Sequence, residues 1–175
     1  MTRIGYAEIE SPIGPLTLCA TAAGLCHIEF GAWHDMADKL AGWAGKVCDT
    51  PVFEQDPALL AETAEQLRAY FAGRLQRFEL ALDLRGTPFQ VRVWQALYAI
   101  PFGETRSYLQ IGEAIGSPKA VRAVGGANNR NPVPIVVPCH RVIGKDGTMV
   151  GYGGGLGIKR HLLQLEGVQA RFGEQ

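Results

Sequence analysis

The sequence predicts an α+β protein in two parts, a mixed α/β unit over residues 1–84 and a mainly helical unit over residues 85–175. Three observations carry that reading. Short apolar runs separated by turn signals fill the opening of the chain. After Arg85 the strand pattern gives way to helices that open on capping boxes. Charge divides at the same place. Residues 1–84 hold six Lys and Arg against twelve Asp and Glu, a net of −6, and residues 85–175 hold eleven against five, a net of +6.

Ile4–Ile9, Leu16–Thr21 and Leu25–Phe30 read as strands, with "SPIGP" and "AAG" supplying the turns between them. Asp56 before Pro57 has the form of an N-cap followed by Pro at the first helical position. Leu60, Leu67 and Phe71 then mark one helical face, and Gly73 can end that helix. Phe78, Leu80, Leu82 and Leu84 alternate strictly, as in a half-buried strand or an extended connection. No chemical constellation stands out in this half. Cys19, Cys26, Cys48 and the distant Cys139 show no C-x-x-C, so reduced thiols are expected. Cys19, Cys26, His27 and His34 do not have the spacing of a zinc site, and core strand positions are the expectation for them.

Thr87-Pro88-Phe89-Gln90 has the form of a capping box with Pro at N1. Phe89, Val93, Leu97 and Ile100 share a face of the helix that follows. Ser107–Gln110 is a second capping box and opens a short helix to about Ile115. Gly116 breaks it, and Ser117-Pro118 opens another helix to about Ala127. Two short helices across a Gly turn outline a helix-turn-helix. In the second, Ala120, Ala123 and Ala127 share a face, Val121 and Val124 can turn to the core, and Lys119 and Arg122 are the long side chains. A face of alanines carries no code for major-groove base edges, but it allows close approach to a narrow groove. It also suits plain helix packing. The positive charge of this half suits a polyanion, or equally a solvated face that attracts the acidic half.

The segment "NPVPIVVPCHRVIG" carries the chemistry. Pro132, Pro134 and Pro138 exclude a helix and bias Asn131, Val133 and Val137 toward extended backbone. Ile135-Val136-Val137 should be buried, leaving Cys139 on a rigid approach. A cysteine becomes reactive when a base or a positive charge favours its thiolate, and His140 is the adjacent base. Neighbouring side chains diverge, so a bridging water suits the pair better than a direct bond. A carboxylate would then orient the imidazole. Glu166, at the end of a helix over Ile158–Glu166, is the best local candidate. "GYGGGLG" fits neither G-x-G-x-x-G nor a phosphate loop. These features favour a thiol-dependent site over two inert core neighbours.

"PCHRVIG", "AVRAVGGANNRNPVPIVV", "GYGGGLGIKRHLLQLEG", "FQVRVWQAL" and "IPFGETRSY" resemble the O6-alkylguanine-DNA alkyltransferases, strongly over 87–167 and weakly over the N-terminal half. The resemblance implies a ribonuclease-H-like α/β domain followed by a helical domain with a helix-turn-helix. It implies irreversible transfer of an alkyl group from guanine O6 in DNA to Cys139, with O4-alkylthymine left open as a second substrate. His140 would deprotonate Cys139 through water, with Glu166 behind the imidazole. Asn131 would brace the turn. Tyr108 would assist the leaving guanine, and Arg122 would fill the gap left by the flipped nucleotide. The Ala120, Ala123 and Ala127 face, beside Lys119, would lie in the minor groove. Carbonyls of Cys139 and Val142 would accept from the guanine amino group. Tyr152 and the Gly153 amide would lie against the base, and Pro134 would line its pocket. The implied partner is duplex DNA carrying O6-alkylguanine, met by a monomer, with cooperative binding left open.

Two departures stand beside the likeness. Gly153 replaces a Ser of some relatives, removing a hydroxyl contact to the guanine oxygen. Thr21 and Cys26 fall where some relatives place zinc ligands, so neither metal nor cofactor is expected. Relatives that bind alkylated DNA without repairing it lack the cysteine and fit poorly. A Cys-His hydrolase and a non-catalytic DNA-binding module are the rival readings. No apolar run reaches the roughly 20 residues of a membrane span, and the N-terminus has no signal-peptide form. A cytoplasmic protein is therefore expected.

Overall fold

Three strands follow one another through short turns at the start of the computed structural model: β1 (Thr2–Ile9), β2 (Leu16–Thr21) and β3 (Gly24–Phe30), paired antiparallel. The structure describes residues 1–144, 146–147, 152 and 154–168, and the chain forms two compact units, Met1–Arg85 and Gly86–Gln175. Two elements of the first unit carry no clear sequence signal. Helix α1 (Trp33–Val47) starts on Ala32 without a side-chain cap and runs unbroken through Gly42 and Gly45, two poor helix formers. Strand β4 (Pro51–Gln55) opens on a proline and adds parallel to β1, giving the order β3-β2-β1-β4. Leu40 and Ala44 of α1 pack on Ile4, Cys19 and Cys26. Those two cysteines are core residues, and burial holds the Cys26 thiol up at about 12.

Helix α2 spans Ala61–Phe71, four residues later than Pro57 suggests. Asp56 Oδ1 does accept from the Leu59 N–H at 3.2 Å, but residues 57–60 form only a turn. Tyr70, fully buried, takes the core position expected of Phe71, which is half-buried. Residues 78–84 form the extended connection rather than a full strand. Leu82 bridges Leu25, with Leu25 N–H to Ala81 O at 2.9 Å and Asp83 N–H to Leu25 O at 2.8 Å.

The second unit is helical. Helix α3 (Pro88–Tyr98) and helix α4 (Tyr108–Ala114) both open on complete capping boxes, Thr87 with Gln90 and Ser107 with Gln110. On α3, Val93, Trp94 and Leu97 are buried, while Phe89 is only half-buried. Gly116 ends α4 at φ +76°, a conformation glycine adopts without penalty. Helix α5 spans Val121–Asn129, so Lys119 and Ala120 precede it. Ser117 does not cap it. The Ser117 carbonyl accepts from the Ala120 N–H at 3.0 Å and closes a turn instead. Val124 is core, but Val121 is 38% exposed. The chain closes with β6 (Val142–Ile143) and α6 (Leu156–Leu165), with Glu166 capping α6 rather than lying inside it.

Strand β5 (Arg106–Ser107) pairs parallel with β6, Arg106 opposite Val142 and Ser107 opposite Ile143. This small sheet sets the start of α4 beside the Cys139 segment. Among the described residues no helix is long and apolar enough to cross a membrane.

Candidate active site

The approach to Cys139 is a braced turn, not an extended run. Asn131 Nδ2 donates to Val137 O at 2.7 Å, and Asn131 Oδ1 accepts from the Val133 N–H at 3.0 Å. The Val137 N–H closes back on Val133 O at 2.9 Å. Ile135 is forced to φ +76°. A β-branched residue there is strained by about 1–3 kcal/mol, and such strain persists where surroundings over-determine it. The prolines forbid a helix as expected, but Asn131 bends what they leave. Residues 132–140 are all buried, Pro134 among them.

Cys139–Arg141 form one 3₁₀ turn. Cys139 is 5% exposed and His140 fully buried. Burial pushes the Cys139 thiol up to about 11, against the Asn131 side chain, the Lys159 charge and Tyr152, which pull it down. Such a thiol is protonated at neutral pH and needs a base. His140 Nε2 lies 2.8 Å from Glu166 Oε2. Burial alone would raise the Glu166 carboxyl, but hydrogen bonds from His140 and Arg141 outweigh it and hold it at about 2. An ionised carboxylate accepts only, so Nε2 carries the hydrogen and Nδ1 the lone pair. Nδ1 has no hydrogen-bond partner among the described residues. Burial also lowers the His140 pKa, against the pull of Glu166. The imidazole is therefore neutral and basic at Nδ1.

Two residues of the site escaped the sequence reading. Arg141 Nε and Nη2 donate to Glu166 at 2.8 and 3.0 Å, and Nη1 donates to Ile100 O at 2.6 Å. Lys159, fully buried on α6, donates to Val142 O at 2.6 Å, and burial lowers it to about 8. With Arg141, Lys159 and Glu166 charged and His140 neutral, the site holds one surplus positive charge. That surplus favours an anionic sulfur. The signals available were the Arg directly after Cys-His and the spacing of Lys159 and Glu166, seven residues apart on one helix face.

Tyr108, first residue of α4, is half-buried. Burial, then the charge at Cys139, raises its hydroxyl pKa. Tyr152 is half-buried, and Gly153 lies outside the described residues. The helix-turn-helix side chains form a separate feature of the same unit. Lys119, Ala120, Arg122, Ala123, Ala127 and Arg130 line an open groove of about 620 Å³, with Thr87, Phe89 and Gln90 across it. Lys119, Arg122 and Ala123 are exposed. Ala127 is 3% exposed, and its carbonyl accepts from Trp94 Nε1 at 2.8 Å. The alanine face therefore tapers from solvent into the core. Among the described residues no three His, Cys, Asp or Glu side chains are grouped as a metal ion would need.

Known proteins are similar to this chain in sequence and fold. Residues 88–168 match the model for the 6-O-methylguanine DNA methyltransferase DNA binding domain, and residues 4–84 match that for the ribonuclease-like domain of the same family. The chain belongs to the 6-O-methylguanine DNA methyltransferase family. A methylated-DNA–protein-cysteine methyltransferase of Methanosarcina barkeri is 48% identical over 161 residues, covering 92% of this chain and 96% of its own. Its counterpart in Mycobacterium bovis is 50% identical over 163 residues, covering 93% and 92%. The crystal structure of Mycobacterium tuberculosis OGT in complex with DNA matches at a TM-score of 0.78 and 46% identity, covering 94% of this chain and 92% of that one. The α+β fold is thus that of the family, a ribonuclease-like sheet unit followed by a helical DNA-binding unit.

Proposed function

We propose that this chain repairs DNA by moving an alkyl group from guanine O6 to the sulfur of Cys139, once per molecule. The observation that carries the reading is the buried Cys139 thiol on a rigid turn, followed at once by the His140–Glu166 pair at 2.8 Å. The relatives named for methyl transfer from DNA to a protein cysteine and the OGT–DNA complex support it.

In this reading the thiol proton passes through a water to His140 Nδ1, and Glu166 stabilises the imidazolium. Sγ attacks the alkyl carbon, an S–C bond forms, and the C–O6 bond breaks with its electrons going to guanine. Tyr108 gives its hydrogen to the departing guanine anion, and the proton taken up by His140 returns through water to the phenol oxygen, so the thiol proton ends on guanine. The Val142 carbonyl, already held by Lys159, has a second lone pair for the guanine amino group. The base must leave the duplex to reach Cys139, at a cost of roughly a few kcal/mol. Arg122 stands on the α5 groove as the side chain that fills the gap. The groove's small residues suit a shallow, sequence-independent fit to the minor groove, with Lys119 near the phosphates.

The test is intact-mass analysis and peptide mapping after mixing with duplex containing O6-methylguanine. One methyl group is expected, on Cys139. Cys139→Ser should abolish transfer and leave duplex binding largely intact, because the phosphate contacts remain. A methyl group found on Cys26 or Cys48 would overturn the assignment.

A further inference from the structure

We infer that Asn128 is a positioning residue for the transfer, acting through the Tyr108 hydroxyl. The inference rests on the leaving-group role given to Tyr108 above. Asn128 is 2% exposed, and neither its amide nitrogen nor its amide oxygen has a hydrogen-bond partner among the described residues. A carboxamide shut away from water without partners destabilises the fold, and buried polar groups nearly always find a partner. An apolar side chain of the same size would pack there at less cost. A local rule broken in this way points to function at that position.

Its place in α5 says which function. Asn128 lies three residues beyond Gly125, on the same side of the helix. Tyr108 rests on that side, since a Cβ at Gly125 would lie 3.8 Å from Tyr108 Cε1. On the other flank, the Asn131 N–H reaches the Asn128 carbonyl at 3.4 Å, and the Asn131 side chain braces the turn that bears Cys139. One helical turn thus carries the side on which the phenol rests, Asn128, and the residue that braces the mount of the nucleophile. Burial, and then the charge of a Cys139 thiolate, would hold the phenol protonated and able to donate.

The chemistry is specific. A phenol that gives its hydrogen to the departing guanine gathers negative charge on its oxygen. An amide N–H donated to that oxygen stabilises the charge and directs the O–H proton at the base. In this inference Asn128 turns its N–H to that oxygen as the charge develops, with no competing partner among the described residues to surrender.

The experiment compares Asn128→Leu and Asn128→Met with the unaltered protein, each in the presence of Tyr108 and in a Tyr108→Phe background. Single-turnover rates on alkylated duplex and free O6-benzylguanine are measured alongside thermal melting. Expected is a loss of about tenfold in rate on both substrates, the size of one lost hydrogen bond, with Tm unchanged or raised. No further loss is expected in the Tyr108→Phe background. Full rate in both variants, an equal added loss without the Tyr108 hydroxyl, a rate that only tracks a falling Tm, or failure of both variants to fold each overturns the inference. Tyr108→Phe transferring at full rate removes the role of Tyr108 itself. A slow Tyr108→Phe with an additive Asn128 effect removes only the inference about Asn128.

Discussion

The two oxygens of Glu166 accept from His140 Nε2, Arg141 Nε and Arg141 Nη2. Glu166→Gln removes the charge that fixes the imidazole tautomer and leaves a buried guanidinium unpaired. Transfer should fall by about 10²-fold or more, and stability by about 3–5 kcal/mol, read by single-turnover kinetics and urea unfolding. The carboxyl also sets a pH window. Its folded pKa, about 2, is depressed below that of an unfolded Glu. Its contribution is therefore complete above the ordinary carboxylate range and is lost as pH falls toward 2. Urea midpoints between pH 6 and pH 3 should show that loss, and Glu166→Gln should flatten it. Cys139, His140, Asn131 and Glu166 were legible in the sequence, and the structure brings them together. Arg141 and Lys159 were not, because a lone cation reads as surface until its buried acceptor is seen. The acceptors, Ile100 O and Val142 O, are backbone atoms that no side-chain pattern announces.

Capping boxes make the starts of α3 and α4 readable to the residue, since the signal lies in four consecutive side chains, whereas α3 ends at Tyr98, short of Ile100, and α4 at Ala114. The start of α5 was misplaced because Ser117-Pro118 looks like a helix opening, whereas its backbone bonds are spent on a turn. Helix α1 went unread for want of any cap. Tyr108 follows directly on Ser107, so the cap that starts α4 also sets the phenol. Ser107→Ala should cost about 1 kcal/mol in stability, seen in melting, and slow transfer on both duplex and free base. Arg122 belongs to a different element and should behave differently. Arg122→Ala should weaken repair of duplex much more than reaction with free O6-benzylguanine, because a free base leaves no gap to fill. Equal losses on both substrates would remove the flipping role. Val121 at 38% exposed stands one residue before it, an apolar side chain on the same solvent-facing turn.

At the scale of the whole chain the chemistry has no return path. The product is a thioether without a good leaving group. Cys19 and Cys26 are buried in the core of the first unit, away from any role as a second acceptor. Titration against excess alkylated duplex should plateau at one alkyl group per active chain, and conversion beyond that without a cofactor would contradict the scheme. The division into two units was legible from strand periodicity, capping and charge together, because each changes character near Arg85. The parallel pairing of β4 with β1 was not, since it joins residues some fifty positions apart and leaves no local trace. One further consequence follows from α6. That ten-residue helix delivers both Lys159, to the Val142 carbonyl, and the Glu166 that ends it, to His140. When α6 frays or undocks, proton handling and carbonyl placement fail in one event. A docked molecule can react, and an undocked one cannot until α6 closes again. Because transfer is irreversible and closing renews the docked state, the plateau stays at one alkyl group per chain, while the single-turnover rate scales with the docked fraction. Followed at rising urea with free O6-benzylguanine, that rate should report the free energy of local opening and fall as exchange of the α6 amides rises.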